Sequence, residues 1–141
     1  MAGNVRTITP RTAAPAPPPP VAGVSLLGDT GEQVAVVAKF FRALGDPTRL
    51  RLLEFLLTTE HTVSECVARI GLSQGRVSAH LACLSDCGYI AARRDGRFCH
   101  YRVVDPRVAD LIVVARAMAA DNASALAACL HIQPCVHGPG A

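Results

Sequence analysis

The sequence has no tryptophan, and phenylalanine and tyrosine together make only 4% of it. A chain that is nevertheless 50% apolar must build its core from aliphatic side chains and alanine, which suits helices packed on helices. Lysine is nearly missing too: Lys39 stands alone among fourteen basic residues, the rest being arginine. Arginine is the better side chain for bidentate contacts to phosphate or guanine. No apolar run is long enough to span a bilayer, since the stretch from Val108 to Ala120 is broken by Asp110 and Arg116. Membrane partners are therefore not expected. The N-terminus lacks the apolar core of a secretory signal, so the six cysteines are expected as reduced thiols in a cytoplasmic protein. There is no Cys-x-x-Cys, no glycine-rich phosphate loop and no motif that places a general base. A thiol enzyme is thus the weakest reading, and the chain is taken as non-enzymatic.

What is present fits one domain: 141 residues, a net charge of +3 and a pI near 8.7. Charge alone does not separate a nucleic-acid binder from a protein with a solvated basic surface. Residues 1–30 form a Pro/Ala-rich tail with a Pro17–Pro20 run and few large apolar groups, expected to stay disordered and partly polyproline. Residues 31–130 carry the periodic patterns. Residues 131–141 are read as a flexible tail.

Between Gly31 and Leu44 the residues Val34, Val37, Ala38, Phe41 and Leu44 recur at helical spacing. Asp46-Pro47 supplies a cap and a first-turn proline for a second helix lined by Leu50, Leu53, Phe55, Leu56 and Leu57. Thr58 to His61 reads as a polar break. Thr62-Val-Ser-Glu65 is a capping box opening a short third helix to about Ile70. After the Gly71-Leu72 turn, Ser73 can cap a fourth helix with Val77, Leu81 and Leu84 inward and Gly88 as its stop. Two helices joined in this way are the helix-turn-helix pattern. Tyr89–Arg94 and Arg97–Val103, joined by Asp95-Gly96, predict a β-hairpin wing. Asp105-Pro106 then opens a long helix to about Leu130, so apolar around its girth that it should pack on the first helix and a second subunit. The fold class is mainly α with a small β-hairpin: a dimeric winged helix-turn-helix.

In that fold the start of the second helix of the pair meets base edges of double-stranded DNA, which nominates Gln74, Arg76 and Ser78, with His80 nearby. Arg93, Arg94 and Arg97 on the wing can hold phosphate. Cys83 and Cys87 are four apart on the same helix, so their side chains share a face at about 6 Å, close enough to chelate one ion. The alternative is that both are small buried hydrophobes.

Ala43-Leu-Gly-Asp-Pro-Thr-Arg-Leu-Arg-Leu-Leu53, Gly71-Leu-Ser-Gln-Gly-Arg-Val-Ser-Ala-His-Leu81, Gly88-Tyr-Ile and Asp95-Gly-Arg-Phe-Cys-His-Tyr101 resemble the ArsR/SmtB family of winged-helix repressors. The resemblance covers about residues 33–130. It implies a homodimer that binds a palindromic operator in the apo state and releases it when an ion binds. The family's Cys-Val-Cys motif has no counterpart at Arg49-Leu-Arg51, and residues 106–130 hold no histidine for a site across the long helices. Both absences argue against the usual zinc, nickel or cobalt sensors. His80-Leu-Ala-Cys-Leu-Ser-Asp-Cys-Gly88 with Gln133-Pro-Cys-Val136 instead resembles a cadmium/lead-sensing member, which implies Cys83, Cys87 and Cys135 as ligands. Cadmium or lead is then the first choice of effector, with mercury, trivalent arsenic or zinc as alternatives. An all-sulfur set selects thiophilic ions. Cys129 is an extra ligand or a packing residue, Cys66 is expected in the core, and Cys99 could serve either way. His131 and His137 flank Cys135 and could complete a zinc site. A redox or reactive-sulfur repressor using the same thiols is the competing reading.

Overall fold

The computed structural model describes residues 31–132. The expectations for residues 1–30 and for the end of the chain, Cys135 and His137 among them, lie outside the described residues. Helix α1 (Gly31–Leu44) leads into α2 (Pro47–Leu56), strand β1 (His61–Thr62), α3 (Val63–Ile70) and α4 (Gln74–Asp86). Strands β2 (Ile90–Asp95) and β3 (Phe98–Val103) follow, then α5 (Arg107–Asp121) and α6 (Ala123–Ala128). The sheet is antiparallel in the order β1-β3-β2. None of the described helices is long and apolar enough to cross a membrane.

Local chemistry sets the helix ends. Asp46 accepts from the Arg49 N–H at 3.0 Å and Pro47 follows as the first helical residue. Thr62 and Glu65 cap each other's backbone, and Gly71 leaves α3 with φ 78°. Ser73 accepts from the Arg76 N–H. At the far end of α4, Gly88 donates to the Ser85 carbonyl and Tyr89 to that of Leu84, with Gly88 at φ 82°. This is the Schellman arrangement, which turns Tyr89 back into the core beside Leu84.

The core gathers Leu52, Leu53 and Leu56 of α2, Cys66 of α3, and Val77, Leu81 and Leu84 of α4, with Tyr89 and Ile90 closing it at the sheet. Burying each of these leucines and valines contributes roughly 1.5–3 kcal/mol.

Several expectations are corrected. The polar break hides a strand: His61 pairs with Tyr101 and Thr62 with His100. On α2 Leu52, not Leu50, is buried, and Leu50 faces outward. The wing turn sits one residue later, because Asp95 pairs with Phe98, leaving Gly96 and Arg97 between them. Among the described residues only glycines take positive φ, Gly96 at 59°, so the type II′ pattern with glycine first replaces one that would force Asp95 positive. The Asp105 side chain accepts from the Arg107 N–H at 2.9 Å, yet the residue before α5 is Pro106, with no side-chain cap. The long final helix is broken at Asn122 (φ −111°, ψ 15°), whose side-chain amide donates to the Met118 carbonyl at 2.8 Å. Asparagine's competition for backbone groups accounts for the break. On α1 only Ala43 is buried, and Val34, Val36 and Phe41 lie exposed.

Candidate nucleic-acid interface and thiol pair

Burial of Val77, Leu81 and Leu84 fixes which side of α4 faces out. Gln74 and Ser78, four apart, are exposed together at its start, with Arg76 half-buried beside them. His80 is turned elsewhere: its Nδ1 lies 3.8 Å from Asp46 Oδ1, and its side chain is only 16% exposed.

On the wing, Arg94 and Arg97 are exposed and make no ion pair among the described residues. Arg93 is engaged by the Glu60 carboxylate at 2.6 Å and approaches Asp95 at 3.6 Å. The arginine holds the Glu60 carboxyl below its usual range, first through their hydrogen bond. Glu60 had no sequence signal as a partner, because only the β1–β3 pairing brings it to the wing.

Cys83 and Cys87 occupy the other end of α4. The Cys87 N–H bonds the Cys83 carbonyl at 3.0 Å, closing the last turn. The Cys87 thiol is pushed up, first by burial and then by the neighbouring Cys83, with Lys39 opposing. Both cysteines line a groove of about 860 Å³ between α1 and α4, walled by Val36, Phe40, Ala79 and Ala82 and flanked by Lys39 and Asp86. Two adjacent sulfurs, one half-buried and one exposed, suit a soft ion as half of a site. Among the described residues no group of three His, Cys, Asp or Glu side chains gathers to hold a metal.

The other thiols are apart from this pair. Cys66 is fully buried, and burial pushes its thiol up to about 11. Cys99 is half-buried in β3, two residues before Tyr101, whose hydroxyl is pushed up first by burial and then by this thiol. Cys129 lines a separate cavity of about 490 Å³ with Met118, Asn122 and Leu126. His131 is exposed beyond α6.

Comparison with known proteins follows this geometry. The family model described as "Bacterial regulatory protein, arsR family" matches residues 46–92. The "Probable mercury resistance operon repressor" of Streptomyces lividans is 62% identical over 95 residues, covering 67% of this chain and 76% of that protein. The HTH-type transcriptional regulator CmtR of Mycobacterium bovis is 35% identical over 106 residues, covering 72% and 80%. Among solved structures, the homodimeric winged helix-turn-helix DNA-binding domain Mb0332 of Mycobacterium bovis superposes with TM-score 0.60 and 26% identity, covering 76% of this chain and 94% of that one.

Proposed function

Because the chain belongs to the ArsR family of bacterial regulatory proteins, we propose that it is a homodimeric, metal-responsive repressor that binds operator DNA when metal-free. A thiophilic ion bound by Cys83 and Cys87, with Cys135 as third sulfur, releases it. The protein acts as a regulator in the cytoplasm, without catalysis of its own.

The observation that carries this reading is the thiol pair on the helix whose opposite end offers Gln74 and Ser78 outward. Two jobs on one rigid element allow one to influence the other. An ion seated in the groove between α1 and α4 favours one arrangement of those helices. If DNA favours another, the two ligands compete through the fold with a coupling of about 1–3 kcal/mol.

The sequence resemblance ranks cadmium or lead first. The relative named for mercury resistance, at 62% identity, moves mercury(II) ahead. The chemistry of the pair agrees, since two thiolates suffice for mercury(II) whereas cadmium and lead call for more donors. Each thiol must lose its proton to bind, so the raised Cys87 thiol makes ion affinity climb with pH. On DNA, Arg76 supports the Gln74–Ser78 face while Arg94 and Arg97 hold backbone phosphate.

A duplex selected from random DNA by the wild-type protein provides the probe. Reduced protein on that duplex is titrated with mercury(II), cadmium, lead, arsenite, zinc and peroxide, and release is followed by fluorescence anisotropy. Mercury(II) should act at the lowest concentration, and Cys83→Ser or Cys87→Ser should bind DNA normally but fail to release it. Release of a variant lacking all three thiols would defeat the ligand assignment. Release by peroxide alone would favour a redox sensor.

A further inference from the structure

Asp46 is among the few buried polar residues of the described chain, 7% exposed, and stands where three elements meet. Its Oδ1 accepts from the Arg49 N–H at 3.0 Å, capping α2, and lies 3.8 Å from His80 Nδ1 on α4. Its Oδ2 is 4.0 Å from the Arg49 guanidinium. That guanidinium in turn donates to the carbonyls of Ala43 and Arg42, the latter at 3.2 Å. The last carbonyls of a helix have no partner within it, so Arg49 satisfies the end of α1 while holding Asp46. A continuous polar link thus runs from the end of α1 through Arg49 and Asp46 to His80.

The position of His80 gives this link its meaning. It comes two residues after Ser78, which is exposed near the start of α4, and three before Cys83, which lines the groove that α4 shares with α1. The same two helices therefore face each other twice: through the thiol groove, and through the polar link. A helix is stiff over this length, so holding it at His80 while an ion acts at Cys83 and Cys87 makes His80 a fixed point about which the helix start can tilt.

We propose that Asp46 and His80 are positioning residues that pin the DNA-reading helix to the α1–α2 corner, so that ion binding in the α1–α4 groove reorients Gln74 and Ser78. This rests on the reading of α4 as the DNA-contacting helix. His80 acts through Asp46 and does not itself touch a base.

The test uses Asp46→Asn, His80→Gln and the double variant in the full-length protein. Asparagine caps a helix as well as aspartate does, so Asp46→Asn keeps the α2 start while removing the carboxylate. Melting temperature, operator affinity, base preference at each operator position, and mercury(II) stoichiometry by sulfur-to-metal charge-transfer absorption are measured together. Each single variant should lose operator affinity by about tenfold, equivalent to about 1.4 kcal/mol. The double variant should lose no more than the weaker-binding single, with melting temperature of Asp46→Asn and mercury stoichiometry unchanged. Wild-type affinity and release in both singles would overturn the inference, as would losses that add in the double variant and track a falling melting temperature. A changed base preference in His80→Gln would overturn it too, by making His80 a direct contact. Gln74→Ala and Ser78→Ala run alongside. If they bind the operator as wild type does, the reading of α4 itself fails, which separates that failure from this one.

Discussion

Tyr89 donates its hydroxyl to the main-chain carbonyl of Phe40 at 2.9 Å, joining positions 49 residues apart. The Phe40 ring lies against the Tyr89 ring at 4.9 Å between centroids. Tyr89 is almost wholly buried, and burial pushes its hydroxyl pKa up. Helix α1 buries little else in the protomer, so this contact is a principal tether of the α1 wall of the thiol groove. Tyr89→Phe keeps the ring and removes the hydrogen bond. It should lower stability by about 0.5–1.5 kcal/mol, against roughly 3–5 for Tyr89→Ala, read from urea midpoints.

The wing arginines should separate by their protein partners. Arg94 and Arg97 are exposed, so Arg94→Ala or Arg97→Ala should weaken operator binding evenly across sequences and reduce the logarithmic salt slope by about 1. Arg93 is already held by Glu60. Arg93→Ala should therefore change the slope less, while Glu60→Gln, which frees that guanidinium for phosphate, should steepen it. Anisotropy titrations across a salt series read all four variants. A slope in Arg93→Ala that falls as far as in Arg94→Ala would show that DNA displaces Glu60.

The buried thiol of Cys66 makes a prediction about alkaline pH. In the folded chain it keeps its proton to about 11, against an ordinary 9.0. Between these values the unfolded chain has released a proton that the folded chain retains, so stability falls as pH rises. Below about 9 both states are protonated and the group contributes no slope. Tyr89 and Cys87 are also raised, so the comparison must be with Cys66→Ala. Denaturant midpoints between pH 8 and pH 10.5 should decline more steeply in wild type than in Cys66→Ala, and the two slopes should agree at pH 8 and below.

The parts of the fold that could be read in advance are those governed by near neighbours. Asp46 with Pro47, Thr62 with Glu65, and Gly88 after α4 each act within a turn of chain, and the structure places each at a helix end. The inward face of α4 was equally legible, since Val77, Leu81 and Leu84 carry the helical period by themselves. What depended on distant partners was not. Strand β1 exists because Tyr101 and His100 come to pair with His61 and Thr62. The direction of His80 is set by Asp46, and the engagement of Arg93 by Glu60. Helical spacing brought Cys83 and Cys87 together, but it carried no sign of the α1 groove into which they open.

The outer faces of α1 and α5 lead to the last prediction. Phe41 is 57% exposed, Val113 67% and Met118 61% in the single protomer, while the start of α4 exposes Gln74 and Ser78. Apolar side chains left in water along whole helix faces are the signature of a surface that another chain covers. Replacing an exposed residue costs the protomer little, usually within about 0.5 kcal/mol, so a charge here tests association with little effect on the fold. Phe41→Glu and Met118→Glu should sediment as monomers where wild type sediments as a dimer, with circular dichroism unchanged. A two-fold operator needs both subunits placed one helical turn of DNA apart. The monomers should therefore retain only weak, strongly salt-dependent DNA binding while still taking up mercury(II) at Cys83 and Cys87. Tight operator binding by a monomeric variant would show that one protomer suffices and that these faces serve some other contact.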